Sequence, residues 1–168
     1  MSPAVPFILL GGAALVAYLS TLKKVVNAAQ RMRYQVTRVQ IYRFKLDQPL
    51  VFRVWIEFTN LADIDIVIQA LYIDIFLNFG TGQQRIATLY PQQSIVIPAN
   101  QRKELPFDVE VKWVNLGATA LQMLLKRVNG EETWWPTSAH VDGELKAEGF
   151  TIPINMDVPF SAQPIEKE

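Results

Sequence analysis

Between Tyr34 and Phe160, apolar residues recur at every second position in short runs broken by turn residues. Alternation of this kind sends one face of an extended strand into a core and the other into water. Val36, Val39 and Ile41 mark a first strand, and Phe52, Val54, Ile56 and Phe58 alternate with Arg53, Trp55, Glu57 and Thr59 in a second. Ile64, Ile66 and Ile68 then fall on even positions, while Ile73, Ile75, Leu77 and Phe79 fall on odd ones. A change of phase inside one apolar run needs an inserted residue, so it predicts a bulge or bend near Gln69 to Leu71. Gly80-Thr81-Gly82 predicts a hairpin turn, short strands follow over Arg85–Tyr90 and Ser94–Ile97, and Pro98-Ala99-Asn100 breaks the run.

Phe107, Val109, Val111 and Trp113 alternate with Asp108, Glu110 and Lys112 in a further strand. The period then changes. Leu121, Leu124, Leu125 and Val128 are spaced i, i+3, i+4, i+7, which predicts one amphipathic helix, with Asn115 as its N-cap and Lys126, Arg127 and Gly130 at its C-terminal end. A closing hairpin runs from Val141, Leu145 and Ala147 through Glu148-Gly149 to Phe150, Ile152, Ile154, Met156 and Val158. Many short strands with one helix predict an all-β domain over residues 34–160, an immunoglobulin-like antiparallel β-sandwich, with a tail over 161–168.

The N-terminal segment breaks the pattern. Met1 to Leu22 carries no charged side chain, and the run from Val5 to Leu22 includes Phe7, Ile8, Leu9, Leu10, Leu15, Val16, Tyr18 and Leu19. As a helix this run rises about 27 Å, close to the hydrocarbon thickness of a bilayer. It predicts a single transmembrane helix over 1–22 that anchors the chain in a lipid bilayer.

Net charge is zero, but its distribution is uneven. Met1 to Leu46 holds seven Lys or Arg and no acidic residue, and the remainder holds nine basic and sixteen acidic residues. The segment 23–33 therefore reads as a basic juxtamembrane connector, with Lys23, Lys24, Arg31 and Arg33 contacting headgroups or other phosphates. Basic residues on the C-terminal flank predict that the β-domain faces the cytoplasm or its topological equivalent. Nucleic acid is disfavoured as a partner, because charge without a reading motif carries no sequence information.

Chemistry is sparse. The chain has one histidine, His140, and no cysteine, which leaves no thiolate or paired-histidine metal site and no triad-like context. No cofactor is expected. Gly80-Thr81-Gly82 lacks the Gly-Lys-Ser/Thr of a phosphate loop. Trp134-Trp135-Pro136 lies in a polar loop. Adjacent residues of an extended segment point opposite ways, so one of Trp134 and Trp135 is a candidate partner contact.

Several segments come in a familiar order: Val54-Trp-Ile-Glu-Phe-Thr-Asn60, Ile66 to Ile75, Ile97-Pro-Ala99, Leu105-Pro-Phe-Asp-Val-Glu-Val111, then a helix and a hairpin with Gly143 and Gly149. In this the chain resembles the late embryogenesis abundant group 2 family, also called the water-stress and hypersensitive-response (WHy) domain, over about residues 34–160. The family's Asn-Pro-Asn turn reads here Asn60-Leu61-Ala62. The resemblance implies a sandwich of about seven strands with a helix and no enzymatic activity.

These readings converge on a non-enzymatic, membrane-anchored structural or interaction protein. Its β-sandwich would be presented to protein partners, for instance as a membrane component of a larger assembly such as a lipid-containing virion. The alternative, implied by the resemblance, is a stress-protective or lipid-binding module. The residues leave the oligomeric state open.

Overall fold

A computed structural model of the chain describes residues 20–28, 30–45, 47–80, 82–131 and 136–161. Residues 20–28 are helical, and strands follow at β1 (Met32–Arg43), β2 (Leu50–Asn60), β3 (Ile66–Asn78), β4 (Gln83–Leu89), β5 (Ile95–Ile97) and β6 (Arg102–Val111). A 3-10 turn (Trp113–Asn115) leads into helix α1 (Gly117–Val128), and β7 (Ser138–Ala147) and β8 (Phe150–Ser161) close the domain.

The strands form one eight-stranded sheet in the order β4-β3-β7-β8-β1-β2-β6, with β5 also paired to β3. Every pairing is antiparallel except β1 with β8, which meet in parallel at Val39↔Phe160 and Gln40↔Ser161. This mostly β fold is consistent with the expected β-sandwich, with the strands continuous in one sheet. These two rungs join both halves into a single ribbon that curls into a half-barrel, and its end strands β4 and β6 approach each other.

The alternation read from the sequence defines the inner surface. Phe52, Val54, Ile56 and Phe58 of β2, Ile73, Ile75 and Leu77 of β3, and Val141 and Leu145 of β7 are all buried. Side chains of this size contribute about 1.5–3 kcal/mol each when fully buried. The change of phase in β3 is a bulge at Gln69: Ile68 pairs with Ala147 and Ala70 with Lys146, so Gln69 has no opposite number. A second bulge at Thr37 in β1 lets both Val36 and Val39, three apart, face the core. The β7–β8 hairpin turns on Glu148 (φ 49°) and Gly149 (φ 82°), the two positive φ values that a two-residue type I′ turn requires.

The helix begins later than expected. Asn115 lies in the 3-10 turn, its N–H bonded to the Lys112 carbonyl at 2.9 Å, and α1 starts at Gly117, whose φ is +70°. Ala120 and Leu124 are its buried contacts with the core, joined by Leu116 just before it. Trp113, read as strand, sits in that turn instead. Its indole N–H donates to the Gln48 carbonyl at 2.9 Å, and its ring meets Phe44 edge-on at 5.3 Å.

The expected transmembrane helix is also corrected. Among the described residues no helix is long and apolar enough to cross a membrane. The described helical residues 20–28 carry the exposed Lys23 and Lys24 and turn into β1 just past the buried Ala28. The single-pass membrane localisation, with its cytoplasm-facing domain, has no support from the described residues. The anchor residues Phe7, Ile8, Leu9, Leu10, Leu15, Val16, Tyr18 and Leu19 lie outside the described residues, as does the tail 162–168. The basic connector is shorter than read, because β1 begins at Met32, which is already buried.

Candidate interaction surface

The outer face of β1, β2 and β6 carries the densest cluster of aromatic and cationic side chains among the described residues. Trp55 lies between the buried Val54 and Ile56, so alternation turns its indole outward. The bulge at Thr37 shifts the register of β1 and brings Arg38 level with Trp55. Thr37 holds this geometry: its hydroxyl lies 3.2 Å from the Trp55 carbonyl and 2.8 Å from a Glu104 carboxylate oxygen.

The guanidinium carbon of Arg38 sits 4.2 Å from the centre of the Trp55 ring. Arg53, the next outward residue on β2, approaches the same ring at 5.9 Å and lies 3.5 Å over Tyr42. Arg53 is also gripped by Asp108 of β6 in a two-pronged pair, Nε to Oδ1 at 2.6 Å and Nη2 to Oδ2 at 2.7 Å. Those hydrogen bonds, with the carboxylate charge, hold the Arg53 guanidinium above its ordinary pKa against an opposing desolvation effect. Further along the face Arg102 pairs with Glu57. Pro106, opposite Trp55, sits on the edge strand, where a missing N–H need not break a ladder bond.

Residues singled out in the sequence lie outside this cluster. Lys23 and Lys24 are exposed on the helical residues 20–28, Arg31 is exposed in the turn that follows, and Arg33 is exposed on β1. They share no cluster with Trp55. Trp134 and Trp135 lie outside the described residues. The residues missed were Arg38, Tyr42, Arg53 and Asp108 around Trp55. The available signal was the Arg53-Val54-Trp55 spacing, which puts cation and indole on one face.

His140 is half-buried beside Phe76, its Nδ1 2.9 Å from Asp157 on β8 rather than beside its sequence neighbour Asp142. Among the described residues no group of three or more His, Asp or Glu is placed to hold a metal. Among the described residues, two open grooves of about 280 and 440 Å³ run between the sheet ends and meet at Pro91 and Phe107.

No family model and no curated protein matches the chain. Among solved structures it is similar to a protein from Archaeoglobus fulgidus, 10% identical over 76% of this chain and 94% of that one, with a TM-score of 0.42. It is also similar to a FixG-related protein from Vibrio parahaemolyticus, 12% identical over 77% of this chain and 96% of that one, with a TM-score of 0.39. Likeness this distant carries no argument about what the chain does.

Proposed function

We propose that the chain is a non-enzymatic structural or interaction protein that presents the outer face of β1, β2 and β6 to a protein partner in a larger assembly. The observation that carries this reading is Trp55, stacked by Arg38 and flanked by Arg53 and Tyr42 on an open sheet face. Trp, Tyr and Arg are the residues that dominate binding energy at protein interfaces. Here bulged and paired strands hold them in place before any partner arrives, which lowers the entropy lost on docking. The likeness to the group 2 family supports the same non-catalytic reading.

The test replaces Trp55 with a photo-crosslinking phenylalanine in the full chain, in its native source, with the exposed Val114 replaced as control. A discrete adduct of defined mass is expected from position 55 and not from position 114. Absence of that adduct, or the same adducts from both positions, would refute the reading.

A further inference from the structure

Two guanidiniums approach Trp55, and they are not equivalent. Arg53 has its carboxylate within the molecule, the two-pronged Asp108. Arg38, which lies nearer the ring, has none: among the described residues no carboxylate comes within ion-pair distance of it. The nearby carboxylates of the face are engaged, Asp108 by Arg53, Glu57 by Arg102 and Glu104 by the Thr37 hydroxyl. Glu110 stands four residues beyond Pro106, the residue level with Trp55. Arg33, exposed on the same face of β1, likewise has no carboxylate within reach among the described residues. Along β1 the face therefore carries two arginines without a carboxylate partner among the described residues, and no acidic residue precedes Asp47 in the chain.

Arg38 is held over the Trp55 ring, a contact that does not use its N–H groups. An indole face takes the flat of a guanidinium, while the N–H donors lie in the guanidinium plane and stay free. Donors in a fixed fork match a carboxylate two-pronged, as Asp108 demonstrates one strand away. From this we infer that the partner docks an extended acidic segment along β1, one of its carboxylates taking Arg38 as Asp108 takes Arg53, and a second reaching Arg33. This inference rests on the proposed interaction face and adds the chemistry of its occupant.

The probe is a fluorescein-labelled peptide of alternating Glu and Ser, whose carboxylates fall on one side when extended, titrated into the full chain and read by anisotropy. Binding is expected at low salt and should weaken steeply toward about 0.5 M salt, where exposed charges are screened. Arg38→Ala should weaken it at least about tenfold, and Arg38→Lys should not restore it, since an ammonium offers neither the stack nor the fork. A charge-preserving control, Lys126→Arg on α1, should bind as the parent does. Circular dichroism checks that each variant folds. Equal binding by Arg38→Ala, no binding by the parent, or tighter binding of a single-stranded oligonucleotide through Arg38 would each overturn the inference. Crosslinking through position 55 without peptide binding removes the acidic partner alone. Failure of both removes the interaction face as well.

Discussion

Asn60 donates from its side-chain Nδ2 to the main-chain carbonyl of Ile97 at 3.0 Å, 37 residues further along the chain. The same amide reaches the carbonyls of Ile64 at 2.8 Å and Pro98 at 3.1 Å, and its Oδ1 accepts from the Ala62 N–H at 2.9 Å. Asn60 is fully buried, the one buried polar side chain among the described residues. One side chain thus satisfies the main chain of the β2–β3 connection and of the β5–β6 crossing together. In Asn60-Leu61-Ala62 the first residue does the structural work. Asn60→Leu should destabilise the fold by about 2–5 kcal/mol, because it strands several buried polar groups that no longer meet water. Urea unfolding measures this, and a loss below about 1 kcal/mol would mean that water replaces the amide.

Gly143 is required by space rather than by backbone angle. A methyl group there would lie 2.0 Å from the Tyr72 carbonyl oxygen and 2.9 Å from the Ile73 Cα, both main-chain atoms of the paired strand. Gly143→Ala must separate β3 from β7 and should cost about 3 kcal/mol. Gly80→Ala has open space but a φ of +89°, so it should cost only about 1 kcal/mol. Thermal unfolding of the two variants should rank them in that order.

Tyr34 bridges β1 and β8 where the two strands no longer pair, donating its hydroxyl to the Pro153 carbonyl. Burial raises its pKa above the ordinary tyrosine value. The folded state then holds the phenolic proton more tightly than the unfolded chain, so this contribution is complete at neutral pH and fades as pH rises through about 10. Tyr34→Phe should be less stable at pH 7 and should lose stability less steeply above pH 10 than the parent. Denaturant midpoints across that range would show parallel alkaline slopes if the idea is wrong.

The Arg53–Asp108 pair is well aligned but exposed, with the Asp108 side chain 44% accessible. Solvent screening limits such pairs, and a double-mutant cycle with Arg53→Ala and Asp108→Ala should give a coupling of about 0.5–1 kcal/mol that shrinks with salt. A coupling well above that would indicate that Trp55 and Tyr42 exclude more water than their geometry implies.

The hydrophobic pattern was enough to place much of the sheet. Strand β2 was legible because Phe52, Val54, Ile56 and Phe58 alternate with polar residues. The bulge at Gln69 was legible because a two-residue period cannot change phase without an extra residue. The same logic applied to Val36 and Val39 would have located the bulge at Thr37, and with it the placement of Arg38.

Local pattern determined which residues face inward, since the direction of a side chain follows from its place in a strand. Only the tertiary structure decided which strands lie side by side. Alternation is the same whether β8 closes a separate sheet or reaches β1 at Val39 and Gln40, and those two rungs make the strands continuous in one sheet. The pattern in Arg53-Val54-Trp55 likewise put cation and indole on one face, while Asp108, 55 residues away, decided that Arg53 is paired and Arg38 is left open. Such long-range choices depend on main-chain hydrogen bonds and charge pairing across strands, which no local period records.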